Sequence, residues 1–278
     1  MAETHSSSRP SVRSDQILGP HPSTPHAFAE ILCATDLQTV TQVPHRALSE
    51  RQNNRDRVVA QFREMLVRYH ASEEQLRRSR RRRQAMIRLG FGAEQARLGR
   101  FPVLEDTRKG NLAEIVLAEY LGAATSATVP IYRLRYNPNV DQSMKGDDVL
   151  AFDLDADPVR IIVGESKFRQ TASVAAVKEI VSDLARSHRA GIPVSLQFVA
   201  DHLFDGGRTD EGIRIERCAE LFASGKLRLD YVGLLLSDTH ARDRVQRGTP
   251  GQLVRLAMIS LGVADPDSLV RDCYQGLD

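Results

Sequence analysis

The chain has 278 residues, 41% of them hydrophobic, and a formal net charge of +2. That length allows one large domain or two small ones with a real core, and a near-neutral total selects no partner. Cys33, Cys218 and Cys273 lie far apart with no CxxC pair, which excludes a disulfide framework and a zinc knuckle, and no apolar run is long enough to span a membrane.

Residues 1–26 are rich in Ser, Pro and His and lack an apolar signal core, so a disordered tail in a reducing cytoplasm is expected there. Residues 27–105 are expected to be mainly helical and basic. Within 51–110 there are 16 Lys or Arg against 7 Asp or Glu, whereas 111–278 holds 19 against 24. A basic segment before an acidic one suggests contact with a polyanion. Val58, Val59, Phe62, Met65, Leu66 and Tyr69 make one apolar face of a helix over 55–69. Ser72 and Gln75 form a capping box that opens a second helix. That helix carries Arg77, Arg78, Arg80, Arg81, Arg82 and Arg83, pointing all round its axis. No core accepts this, so the run is either a solvated face or a phosphate-binding one. Glycines at 90, 92 and 99 break the pattern, and a boundary falls near 100–106.

Residues 106–278 read as one α/β unit. The spacing predicts a helix over 111–121 ended by Gly122, a strand over 131–136, and a hairpin of strands 149–154 and 159–163 around the turn 155–158. A helix over 173–190 follows, stopped by Gly191. Then come a strand over 193–200, a helix over 213–224, a strand over 231–236 and a short helix over 253–261. This order describes a mixed sheet with helices on both faces.

The turn is symmetric about its middle, so facing residues of the hairpin have numbers that sum to 313. Asp148 then faces Glu165 at the open end, with Cβ atoms about 5 Å apart. Side chains alternate along a strand, so Lys167 shares the face of Glu165. Leu150, Phe152, Leu154, Val159, Ile161 and Val163 make an apolar floor on that face. A one-residue slip would put Asp147 in the place of Asp148. Two facing carboxylates repel unless a cation lies between them, and Mg²⁺ takes carboxylate and carbonyl oxygens while keeping several waters. Mn²⁺ offers the same coordination. The ion activates water and offsets charge on a phosphate, and an ammonium beside it orients the water or the developing charge. Asp148, Glu165 and Lys167 supply these parts, with the Ser166 carbonyl as a further ligand. Arg169 and Lys178 are candidate phosphate contacts. No GxxxxGK[ST] loop is present, so ATP hydrolysis is not expected.

Lys109-Gly110-Asn111-Leu112-Ala113-Glu114, Gly146-Asp147-Asp148-Val149-Leu150-Ala151-Phe152 and Gly164-Glu165-Ser166-Lys167-Phe168 together resemble the PD-(D/E)XK nuclease superfamily. The resemblance implies a restriction-endonuclease-like core with an N-terminal helical extension. It also implies a fourth site residue, Glu114, on the first core helix, as a ligand beside Asp148 and Glu165. The pieces RKGNLAE, GDDVLAF and GESKF are closest to the HamA-type nucleases of bacterial Hachiman antiphage systems. Over roughly 105–240 that resemblance implies a DNase with DNA as substrate and a superfamily 2 helicase, HamB, as partner. Two other readings fit the residues: a stand-alone restriction-type endonuclease, and a non-catalytic nucleic-acid-binding module. The residues do not separate RNA from DNA.

Overall fold

The computed structural model describes residues 14–92 and 99–277. Residues 1–13 of the expected tail lie outside them. Two short helices, α1 (Ser14–Leu18) and α2 (Ala27–Ile31), lead into strands β1 (Leu32–Gln38) and β2 (Pro44–Glu50). Helices α3 (Arg55–His70), α4 (Glu73–Arg88) and α5 (Glu105–Ala124) precede the hairpin of β3 (Val149–Asp153) and β4 (Val159–Phe168). Helices α6 (Val174–Ala190), α7 (Leu196–Asp205), α8 (Thr209–Glu216) and α9 (Cys218–Ala223) come next, then β5 (Leu227–Ser237), α10 (Ala241–Gly248), β6 (Leu256–Gly262) and α11 (Pro266–Tyr274).

The six strands form one sheet in the order β1-β2-β6-β5-β4-β3. β2, β6, β5 and β4 run parallel, and antiparallel β1 and β3 close the two edges. Alternation along the strands divides the core into two layers. Val149, Ala151, Ile162, Val232, Leu234 and Ile259 face one layer, built with α3, α5 and α11. Leu150, Phe152, Ile161, Val163, Leu235 and Met258 face the other, built with α6, α7 and α10. The sheet is thus mixed and flanked by helices, as the element pattern predicts, and among the described residues no helix is long and apolar enough to cross a membrane.

Several elements depart from expectation. Residues 14–26 are not a tail: Ile17 and Leu18 are fully buried. Arg228, Arg160 and Arg46 donate to the carbonyls of Gln16, Ile17 and Gly19, which satisfies the polar backbone of this short segment. Residues 32–50 are strands rather than helix, and they join the same sheet as β3 to β6, so the expected division near 105 crosses a shared sheet. Buried His45 and Arg46 hide the strand character of β2. His45 is bonded to Ser260, and Arg46 to Asp36.

Residues 131–136 form no strand but a 3-10 turn over Arg133–Tyr136. Its arginines turn to carbonyls, Arg135 to that of Arg68, while Thr128 makes the bridge to Phe152 instead. Residues 193–200 are largely helical: Leu196, Val199, Ala200 and Leu203 are buried at helical spacing in α7. Residues 253–261 hold β6 rather than a helix, because a central strand covered on both faces is apolar throughout and shows no alternation. The helix expected over 213–224 is split into α8 and α9 at Arg217, and α5 runs past Gly122 to Ala124.

His70, at the end of α3, is buried and tied to α5: its Nδ1–H donates to the Leu66 carbonyl, and Nε2 accepts from Asn111 Nδ2 at 3.1 Å. Burial pushes its pKa down to about 4 against a weak opposing effect of the Leu66 carbonyl. Burial, aided by Arg242, does the same to His45. Both bind a proton more readily when unfolded. Their contribution to stability is therefore complete above about pH 6.5 and is lost as pH falls towards 4. At about 1.4 kcal/mol per unit the loss approaches about 3 kcal/mol for each. Urea unfolding at pH 7, 5.5 and 4 should show it, and His70→Gln should remove about 3 kcal/mol of the acid-induced loss. An unchanged loss in that variant would mean that His70 does not stay neutral.

Candidate active site

β3 and β4 pair with Val149 opposite Gly164 and Asp153 opposite Arg160, so facing numbers sum to 313. The connection is wider than a two-residue turn but keeps its centre. Asp148 immediately precedes the ladder and Glu165 immediately follows it, at the same end of the hairpin. Glu165 Oε1 accepts a hydrogen bond from Lys167 Nζ at 2.6 Å. The ammonium also meets Asp183 Oδ2 of α6 at 3.1 Å. Asp148 Oδ2 accepts from the Ser166 amide at 2.9 Å and from the Ser166 hydroxyl at 3.0 Å. The residue between Glu165 and Lys167 therefore aims the carboxylate across the hairpin.

Glu114 enters from α5. Its close approach depends on Gly164, where a Cβ would lie 2.9 Å from both Leu117 Cδ2 and Val149 Cβ. Glu114 is buried, and Arg133 Nε lies 3.2 Å from Oε1 without making a well-formed hydrogen bond. The other Arg133 nitrogens donate to the Met144 carbonyl at 2.9 Å and to the Asp147 carbonyl. Arg133 so ties the chain before β3 to α5.

The charges are strained in a consistent direction. Burial pushes Glu114 up to about 8; Arg133 opposes it, and the negative charges of Asp148 and Glu165 add to it. Burial and Asp148 raise Glu165 too, against Lys167. Burial pulls Lys167 down, but Glu165 and Asp183 more than offset this and hold the ammonium above the ordinary lysine value.

Asp147 is not part of this cluster. Its Oδ1 accepts from Ser187 Oγ at 2.8 Å, its Oδ2 accepts from the Ser195 amide at 3.2 Å, and its own amide donates to Ser195 Oγ at 3.0 Å. It pins α6 and the start of α7 to the hairpin.

Three cavities meet at Asp148. A polar one of about 450 Å³ is walled by Lys109, Asn111, Glu114, Arg133, Lys167 and Arg169. A second, of about 430 Å³, lies between Glu165 and the Asp183–Ser187 stretch of α6. The third, of about 310 Å³, is mostly apolar and runs from Glu114 and Asp148 to Ile131, Val194, Phe198 and Val199.

Carboxylate and carbonyl oxygens are the donors that Mg²⁺ prefers. Among the described residues, no three His, Cys, Asp or Glu side chains are grouped closely enough to hold one ion. Mg²⁺ commonly takes only one or two carboxylates and fills its shell with water. Asp148 and Glu165, whose charges already repel, fit that demand, with the Ser166 carbonyl and Glu114 as neighbours.

The remaining predicted contacts are dispersed. Arg80, Arg81 and Arg82 are exposed and Arg83 half-exposed on α4, whose buried side chains are Leu76 and Ser79 alone. Arg77, Arg80 and Arg81 line a shallow hollow of their own, apart from the cavities at Asp148. Arg169 does face the polar cavity, but it is engaged by Glu179 at 2.6 Å and by its neighbouring Phe168 carbonyl. Lys178 is exposed on α6. Sequence reasoning missed Arg133, which sat in a supposed strand, and Asp183, whose i+4 spacing from Glu179 was the available signal.

Carboxylates and a lysine delivered by a β-hairpin to the end of a mixed sheet define the class: an α/β protein with a restriction-endonuclease-like PD-(D/E)XK core. The chain belongs to the HamA family. The family pattern, described as HamA, matches residues 26–277. The chain is 34% identical over 260 residues to the Hachiman protein HamA of Bacillus cereus, covering 94% of this chain and 93% of that protein.

The two neighbouring aspartates should separate by experiment. Asp147→Ala removes acceptors used by α6 and α7, and each hydrogen bond to a charged group is worth about 1.5–3 kcal/mol. It should lower unfolding free energy by about 2–4 kcal/mol in urea titrations. Asp148→Ala gives up the two bonds from Ser166 but relieves repulsion with Glu165, so its net effect on stability should stay within about 1 kcal/mol. Equal losses in both variants would refute this division of roles.

Proposed function

We propose that the chain is a Mg²⁺-dependent DNA nuclease, the effector of a Hachiman antiphage system that acts with a partner helicase. Membership in the HamA family supports the place in Hachiman defence. The nuclease reading is carried by one observation: Asp148, Glu165 and Lys167 converge at one end of the hairpin, beside buried Glu114.

Each residue has a role that its surroundings favour. Asp148, held by the Ser166 amide and hydroxyl, presents a fixed carboxylate without having to reorganise. Glu165 is the second carboxylate. Lys167 stays cationic between Glu165 and Asp183, so it holds a positive charge beside the scissile phosphate and helps to orient the attacking water. Glu114 adds a third acidic group, restrained by Arg133. A divalent cation, Mg²⁺ or Mn²⁺, would supply Lewis acidity to the phosphate oxygens and acidify the water. Lys109 and Arg169 flank the polar cavity and suit the phosphates on either side. The exposed arginines of α4, Arg80 to Arg83, and Lys178 on α6 would hold the DNA backbone at a distance from the chemistry.

Plasmid cleavage by purified protein with Mg²⁺ tests the assignment. Glu165→Ala, Lys167→Ala and Asp148→Ala should each lower the rate by at least about 100-fold, with unchanged circular dichroism, and EDTA should abolish cleavage by the unaltered chain. Full activity in the Glu165 or Lys167 variant would remove the assignment.

The contribution of α4 is separable. Replacing Arg80 and Arg81 together by Ala should weaken DNA binding and flatten its dependence on log salt concentration by roughly 2 units. The cleavage rate at saturating DNA should be unchanged. An unchanged salt slope would mean that this helix makes no phosphate contact.

A further inference from the structure

The apolar cavity beside Asp148 is not needed for hydrolysis of a phosphodiester. Its lining includes Val129, Ile131, Leu150, Val194, Phe198 and Val199, together with Glu114, Arg133 and Asp148. Glu114, Arg133, Met144 and Asp148 also line the polar cavity, so the two hollows share one ridge. One side of the ridge offers Lys109, Lys167 and Arg169; the other offers aliphatic and aromatic surface. A nucleotide has the same division, with a charged phosphate on one side of its sugar and a flat apolar base on the other.

Beyond the lining of the cavity, a row of rings continues from Phe198. Phe198 packs edge-on against His202, with ring centroids 4.3 Å apart, and His202 stacks on Tyr136 at 3.9 Å with planes only 16° apart. Tyr136 is 45% exposed and Val194 is 66% exposed. Exposed rings of this kind are what unpaired bases pack against. About 310 Å³ is at the small end of ligand clefts, which run to roughly 1,000 Å³. It has room for one base with its sugar.

We propose that this cavity is a nucleobase subsite: the nucleotide next to the scissile phosphate inserts its base between Phe198 and Val129, so the substrate at the site is a single or locally unpaired strand. This deepens the nuclease reading and rests on it. The substrate class follows from geometry. A base still paired in a duplex is buried in the stack and cannot enter a pocket that opens beside the carboxylates.

Binding to the cleavage-deficient Glu165→Gln protein tests the subsite without any need for turnover. Two single-stranded oligodeoxynucleotides of equal length are compared in Mg²⁺ by fluorescence anisotropy. One carries normal bases and the other carries abasic tetrahydrofuran units throughout. The base-bearing strand should bind at least about 10-fold more tightly, the effect of one stacked base. Adding Phe198→Leu, which keeps an apolar side chain but removes the ring, should erase most of that difference while leaving affinity for the abasic strand unchanged. Equal affinity of Glu165→Gln for the two strands overturns the proposal, and that comparison does not depend on the folding of any Phe198 variant. Base-dependent binding in a protein whose parent cleaves no DNA would uphold the subsite and remove the nuclease reading alone.

Discussion

The site depends on the register of one hairpin. Because β3 and β4 pair with facing numbers that sum to 313, the carboxylate before one strand and the carboxylate near the end of the other come to the same end of the sheet. A slip of one residue would turn the apolar floor of Leu150, Phe152, Ile161 and Val163 towards the wrong layer, exchanging two core surfaces at once. That cost is what makes the position of Asp148 secure. Asp147, one step earlier, is turned the other way and is used as a fastening for α6 and α7. Of the adjacent aspartates, Asp147 thus serves the scaffold while Asp148 lies beside Glu165, and the pleat of the strand decides which is which.

Charge is the second constraint. Glu114, Asp148 and Glu165 crowd into a desolvated corner, and among the described residues Arg133 and Lys167 balance them there. Each cation is itself held by other partners: Arg133 by the carbonyls of Met144 and Asp147, Lys167 by Asp183. Neither can leave without giving up those bonds. Burial first, and then the charges of Asp148 and Glu165, push the Glu114 carboxyl up to about 8 against Arg133. A site that were merely structural would be better served by neutral side chains, since a buried ionic cluster seldom gains over an apolar one.

Much of this was legible in the sequence, and the physical reasons for success and failure differ by element. The hairpin was readable because its turn and its alternating strands fix a register independently of the rest of the fold. α3, α4 and α6 were readable because amphipathic spacing and capping serines at positions 72 and 173 are local signals. β6 was misread because burial on two faces removes the period that tells a strand from a helix, and α7 because the apolar run that opens it is too short to show its helical spacing. β2 was missed because His45 and Arg46 look like surface residues until Ser260, Asp36 and Gly19 are brought to them by the fold. Arg133 was invisible for the same reason: its partners lie at 114, 144 and 147, and only tertiary structure gathers them. Glu114 came from resemblance, since apolar residues lie nearly all round its helix and single out no face for it.

The same reasoning bears on the helix that the core does not use. α4 buries only Leu76 and Ser79, so its sixteen residues contribute little apolar area to the fold. Glu73 and Glu74 answer Arg77 and Arg78 one turn on, at exposed positions where such pairs are worth only about 0.3–0.5 kcal/mol. Beyond that turn the arginines continue, and the exposed apolar residues Ile87, Leu89 and Phe91 end the segment. Folding explains the capping box that starts this helix but not the composition that follows it. A helix with a strong start, a nearly unused core face and a cationic surface is stable enough to be presented and too weakly packed to be structural. Its sequence is therefore better accounted for by what it meets than by what it supports. Its arginines line a hollow of their own, apart from the cavities at Asp148.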